Sequence, residues 1–126
     1  MRTLEEILRP PTEEEVARAL RRFAEDIRRH YGDRIRGVYL FGSRARGDHG
    51  PHSDADVAVV LDDQDWNFWR EKHAITDLAT EVIIDTGVHV QGWPVSRSAW
   101  EDPSRHTNPV LVKNMHRDAK PIGQLA

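Results

Sequence analysis

Residues 35–61 read IRGVYLFGSRARGDHGPHSDADVAVVL. Two apolar runs, Ile35–Phe41 and Ala55–Leu61, enclose a segment rich in Gly, Ser and Asp. Each run has the length and composition of a mostly buried strand. Two successive strands joined by a compact loop favour a mixed sheet with helices packed on it.

The flanks agree. Upstream, Thr12 and Glu15 have capping-box spacing, and Val16, Leu20, Phe23, Ile27 and Tyr31 form one apolar stripe at helical period. Glu13, Glu14 and Glu15 open this helix and Arg28 and Arg29 lie near its end, as the helix dipole favours, with Gly32 a stop signal. Before it, Leu4, Ile7 and Leu8 have helical spacing that Pro10 and Pro11 terminate. Downstream, Asp62, Asp63 and Asp65 are N-cap candidates for a second long helix. Its core stripe is Ile75, Leu78, Ala79 and Val82, and it stops at Gly87. Val88–Val95 reads as a third strand, with Pro94 suggesting a sheet edge or a strand end. Residues 96–109 read as a polar connection and 110–119 as a last short helix before a tail around Pro121 and Ile122. The predicted order, α-β-loop-β-α-β-α, gives an α/β (α+β) fold with a small mixed β-sheet and helices packed on it.

A chain of 126 residues has the size of one domain, expected over 1–126. A formal charge of −3 and a pI near 6.1 argue against direct nucleic-acid binding. The absence of cysteine excludes disulfides and thiolate metal sites. No apolar run approaches the ~20 residues of a membrane span. The N-terminal MRTLEEILRPP lacks a signal-peptide apolar core, so a cytoplasmic location is expected.

The loop carries the chemistry. Gly42 and Ser43 follow the first strand directly; glycine permits close backbone approach to a ligand, and successive N–H groups in such a turn make an anion-binding concavity. Arg44 and Arg46 have the planar fork that suits phosphate oxygens. Asp54 and Asp56 are two residues apart at the head of the second strand, so they face the same way, roughly 6.6 Å apart along it. Metals in a two-metal phosphoryl-transfer site lie ~3.5–4 Å apart, so two such carboxylates can share a pair, one of them bridging. All-oxygen ligands suit Mg²⁺ or Mn²⁺. Val57, Val59 and Leu61 should then point to the core. Either half alone is ordinary turn and strand chemistry; the joint pattern G-S-x-A-R-G followed by S-D-x-D-V-x-V is far more specific. Neither a P-loop nor a G-x-G-x-x-G run is present.

With these motifs the chain resembles the minimal nucleotidyltransferases (MNT) of the DNA polymerase beta-like nucleotidyltransferase superfamily. The resemblance rests on GVYLFGSRARG, SDADVAVVL, the helix that follows, and the closing NPVLVKNMHRDAKPI. It implies the nucleotidyltransferase fold and nucleotidyl transfer from a triphosphate with divalent metals. By position, Gly42 and Ser43 would grip the triphosphate, with Arg44 and Arg46 in the same motif, and Asp54 and Asp56 would bind metal and be the catalytic pair. Many relatives are encoded beside a HEPN-domain protein, and some are antitoxins that adenylylate that toxin. One departure stands out. Active members usually carry a third carboxylate on the strand after the long helix, where this chain offers His89 and Gln91. Glu81 and Asp85 are placed on the helix or its turn.

Two readings follow. One is an enzyme moving a nucleoside monophosphate, AMP from ATP, to a hydroxyl, with a partner protein's side chain among the acceptors. The other is a degenerate MNT-fold antitoxin that neutralises a HEPN-type partner by contact. Aminoglycoside modification ranks last, because no substrate domain is appended. The seven histidines show no i, i+4 pair, which disfavours zinc, and His49 and His52 read as solvated loop residues. Trp66, Trp69, Trp93 and Trp100 read as core, partner surface or a base-stacking platform. Arg21, Arg22, Arg28 and Arg29 read as a solvated helix face.

Overall fold

The computed structural model describes residues 3–123. A short helix α1 (Leu4–Leu8) precedes the long α2 (Glu13–Tyr31); the Ile7 side chain lies outside the described residues. Strand β1 (Ile35–Phe41) leads through a four-residue helix α3 (Ser43–Arg46) to β2 (Ala55–Leu61). Then come α4 (Phe68–Thr86), β3 (Val90–Ser96), α5 (Arg97–Glu101), α6 (Pro109–Asp118) and a two-residue β4 (Lys120–Pro121). The sheet order is β3-β2-β1-β4, with β1 antiparallel to both β2 and β4, and β2 parallel to β3. This is the small mixed sheet expected from the sequence, its mixed character coming from the parallel pairing of β2 with β3.

The capping box of α2 forms as its sequence predicts: Glu15 N–H donates to Thr12 Oγ1 at 3.1 Å, and Thr12 N–H to the Glu15 carboxylate at 2.9 Å. Its stripe of Val16, Leu20, Phe23, Ile27 and Tyr31 is buried. With Ile75, Ala79 and Val82 of α4 it covers one sheet face, where Val57, Val59 and Leu61 point inward as expected. The approach is close: a Cβ on Gly92 would stand 2.2 Å from Ile75 Cγ2. On the other face Phe41, Ala58 and Val95 meet Ala99 of α5 and Val112 and Met115 of α6. Covered on both sides, β2 has five of its seven residues fully buried without a break, from Val57 to Leu61, rather than alternating.

Several local expectations are corrected. Residues 96–109 are not a plain connection: they form α5, capped by Ser96, and a 3-10 turn at Pro103–Arg105 capped by Asp102. The N-cap of α4 is Asn67, whose side chain accepts from Arg70 N–H, not one of the three aspartates. Asp62 pairs instead with Arg34 and Arg36, Asp63 accepts from Ser98 N–H at 3.0 Å, and Asp65 takes a positive φ of 56° in the turn. The third strand starts at Val90, because Gly87 ends α4 in the left-handed conformation and Val88 N–H still bonds the Thr86 hydroxyl. The α2 arginines are not all solvated: Arg22 pairs with Asp85 at 2.7 Å, and Arg28 donates to the Ile122 carbonyl at 2.8 Å. Among the described residues no helix is long and apolar enough to cross a membrane.

Candidate active site

The site lies where β1 ends and β2 begins. Antiparallel register pairs Phe41 with Asp56, so the turn that follows β1 falls beside the aspartate pair. Gly42 adopts φ 77° and ψ −158°, a conformation essentially reserved for glycine. A Cβ there would stand 2.7 Å from Asp56 Oδ2. The glycine is therefore required twice over, by its backbone angles and by contact with the carboxylate. Ser43 opens α3, whose first N–H groups have no intrahelical acceptor. Gly47 closes the turn at φ 85°, its N–H donating to the Ser43 carbonyl at 2.9 Å.

Asp54 is exposed and Asp56 half-buried. Neither has a hydrogen-bond or ion-pair partner among the described residues. Burial, followed by the Asp54 charge, pushes the Asp56 carboxyl above its ordinary value. Two hard oxygen donors left in this state are of the type that divalent cations prefer. Among the described residues no group of three or more His, Asp or Glu gathers around a common point. The parallel register explains why. Gln91 of β3 is the partner of Asp56, and it is exposed. His89 is also exposed, and its carbonyl accepts from Ala55 N–H at 2.9 Å. Glu81 and Asp85 both lie on α4, the latter committed to Arg22.

The two motif arginines are engaged within the protein. Arg44 is buried; its Nε donates to the Ser53 carbonyl at 2.8 Å and Nη2 to the Pro51 carbonyl at 3.4 Å. It thus straps the residues just before Asp54 onto α3. Arg46 spans Asp48 at 3.0 Å and Asp118 at 2.8 Å, and Arg117 also reaches Asp118. Arg117 first, then burial opposed by Arg46, leaves the Asp118 carboxyl below its ordinary value. This buried acid ties the turn after β1 to the end of α6, a contact that sequence reasoning did not find because 72 residues separate its partners. His49 is likewise no solvated loop residue: its Nε2 meets the Glu13 carboxylate at 2.7 Å and anchors the loop to the start of α2.

A second buried charge cluster supports α4. Glu71, 2% exposed, receives Arg34 at 3.1 Å, Arg70 at 2.8 Å and the Tyr31 hydroxyl at 3.2 Å. Burial works to raise this carboxyl, but the two arginines outweigh it and hold it below the usual range. Asp54 and Asp56 line neither of the two large cavities, of about 430 and about 420 Å³. The first lies further along the same sheet face, among Trp66, Trp69 and Trp93.

A family profile described as "Nucleotidyltransferase domain" matches residues 20–96, which include both halves of the site. A candidate protein adenylyltransferase of Methanocaldococcus jannaschii is 34% identical over 71 residues, 56% of this chain and 64% of that protein. The aligned region thus spans less than two thirds of that relative. Among solved structures, a toxin-antitoxin with AMP-PNP aligns with TM-score 0.56 at 18% identity, over 82% of this chain and 72% of that one. A complex of a tri-AMPylated Shewanella oneidensis HEPN toxin with its MNT antitoxin aligns with TM-score 0.53 at 17% identity, over 85% and 71%. At such identities the likeness is one of fold.

Proposed function

From the premise that this chain belongs to the nucleotidyltransferase-domain family, we propose that it transfers a nucleoside monophosphate, AMP from ATP, to a hydroxyl on a partner protein. The observation that carries the reading is the contact between the Gly42 turn and the Asp56 carboxylate, which puts an anion-receiving backbone beside two unpartnered acids. The names of the relatives support the same direction: one is a candidate protein adenylyltransferase, and a fold neighbour accompanies an AMPylated HEPN toxin.

In this reading the triphosphate lies against Gly42 and Ser43. Asp54 and Asp56 would hold Mg²⁺ or Mn²⁺, which when bound neutralises the phosphate charge and stabilises the leaving group. The acceptor hydroxyl gives its proton to water and forms a bond to the α-phosphorus, while the bond from that phosphorus to the bridging oxygen breaks and pyrophosphate departs. The protein's share is positioning and fixed electrostatics. Arg44 holds the Pro51–Ser53 segment so that Asp54 stays beside Asp56, and Arg46 with Asp118 fixes the turn that faces the pyrophosphate. The test is incubation with labelled ATP, Mg²⁺ and a co-encoded HEPN-type partner. Label on the partner that disappears with Asp54→Ala supports transfer; an Asp54→Ala protein indistinguishable from the parent removes the reading.

One observation favours a second reading. Gln91 occupies the β3 position in register with Asp56, so no third carboxylate is there to activate the hydroxyl. A catalytically degenerate antitoxin that acts by contact would tolerate this. Asp56→Asn separates the two readings: protection of cells from the partner toxin survives if the protein works by binding and is lost if it works by transfer.

A further inference from the structure

The tryptophans found no role in the chemistry above, and three of them converge. Trp66, Trp69 and Trp93 line a cavity of about 430 Å³ between β3, the start of α4 and α6, floored by Val95, Leu111 and Met115. Ligand cavities of this size are typically apolar with a few polar groups at the rim, and here Arg105 and His106 supply that rim.

We propose that this pocket receives the base of the nucleotide whose triphosphate lies at Gly42, an inference that rests on the function proposed above. Three observations converge on it. First, position: Trp93 is two residues beyond Gln91 on β3, and Gln91 is the register partner of Asp56. The pocket therefore begins one same-face step, roughly 6.6 Å, along the strand from the acids. A nucleotide with its α-phosphate over the acids can extend its sugar and base in that direction. Second, Trp93 is a prepared platform. The Lys72 ammonium stands 4.1 Å from its ring centroid and donates to the Gly92 carbonyl at 2.6 Å, which fixes the indole from one side. Burial holds the Lys72 ammonium below its ordinary pKa, consistent with a seat packed against the ring. Third, Trp69 is 69% exposed although it borders the cavity, and its neighbour Phe68 meets it edge-on at 5.1 Å. A large indole left in water beside an apolar cavity gains burial when a flat aromatic ligand enters. Base–aromatic stacking requires only a π-face, so the pocket accepts a purine without hydrogen bonds that read its identity.

The experiment titrates the 126-residue chain with Mg²⁺–ATP, with Mg²⁺–tripolyphosphate and with adenosine, by calorimetry and tryptophan fluorescence, in the parent and in Trp69→Ala. Trp69 is exposed, so its removal spares the core, and a thermal melt verifies this. Adenosine should quench the parent's fluorescence. Trp69→Ala should weaken ATP about tenfold while leaving tripolyphosphate unchanged, the loss expected for one stacking partner. ATP affinity untouched by the substitution, or ATP and tripolyphosphate weakened together, overturns the pocket assignment. Adenosine quenching with no tripolyphosphate uptake would keep the base pocket and overturn the triphosphate site instead. Uptake of none of the three removes both.

Discussion

Gly42 and Asp56 lie so close that a methyl group on the first would come within 2.7 Å of the carboxylate of the second. The turn after β1 and the head of β2 are thus one unit, and disturbing either disturbs both. Gly42→Ala must leave the φ 77°, ψ −158° conformation or displace Asp56. A loss of about 1–3 kcal/mol is expected from the backbone strain alone. Denaturant unfolding measures it, and calorimetry should show Mg²⁺–ATP uptake lost along with it. A Gly42→Ala protein that is fully stable and binds normally would contradict the geometry.

Asp56 should reveal itself through pH. Burial and Asp54 raise its folded-state value above 3.8. A carboxyl raised on folding contributes stability that is present below 3.8 and lost as pH climbs through the raised value. At neutral pH the charged carboxylate therefore weighs against the metal-free fold. Asp56→Asn should be more stable than the parent at pH 7, with the difference shrinking as pH falls through that window. Comparing the two proteins cancels groups shifted the other way, such as Glu71 and Asp118. Mg²⁺–ATP should stabilise the parent and not the variant.

The Glu71 cluster predicts a stability effect without a site effect. Replacing Glu71 by Ala leaves the buried Tyr31 hydroxyl without its acceptor and the partly exposed Arg34 without this partner, a loss of about 1–3 kcal/mol. Mg²⁺–tripolyphosphate affinity of the folded variant should be unchanged. Arg34 directly precedes β1, whose first residue Ile35 pairs with Leu61, so the cluster sits at the opposite end of β1 and β2 from the acids. Chemical denaturation paired with calorimetry tests both halves.

Gly92 and Ile75 should be energetically coupled. Gly92→Ala drives a methyl to 2.2 Å from Ile75 Cγ2. Ile75→Ala leaves a cavity worth about 2–5 kcal/mol. The double variant should lose less than the sum of the two, because the new methyl occupies part of the vacated space. Strict additivity in a double-mutant cycle would show that α4 shifts off the sheet instead.

The bounds of β1 and β2 were readable residue for residue, because apolar runs and the Gly-rich stretch between them are local signals. The stripe of α2 and the Thr12–Glu15 cap were readable for the same reason. Where the reading failed, the deciding partner was distant. Asp63 looked like a helix cap but is held by Ser98, 35 residues away, while Asn67 takes the cap. The strap of Arg44 onto Ser53 and Pro51 was not readable either, because it depends on how the loop folds back. The α5 turn was hidden because Ala99 and Trp100 have too few neighbours to show a period; they are ordered by packing against the second sheet face.

What the sequence determined by itself is therefore the long helices, the three main strands and the succession of a Gly-Ser turn and an Asp-x-Asp strand, since helical period, strand runs and caps act over a few residues. Only the tertiary structure decided that Gln91 stands beside Asp56, that Arg46 is tied to Asp118, and that the tryptophans share a pocket one step from the acids. Strand register and the contacts across it come from burying both faces of one sheet at once, a condition that no short window of residues contains.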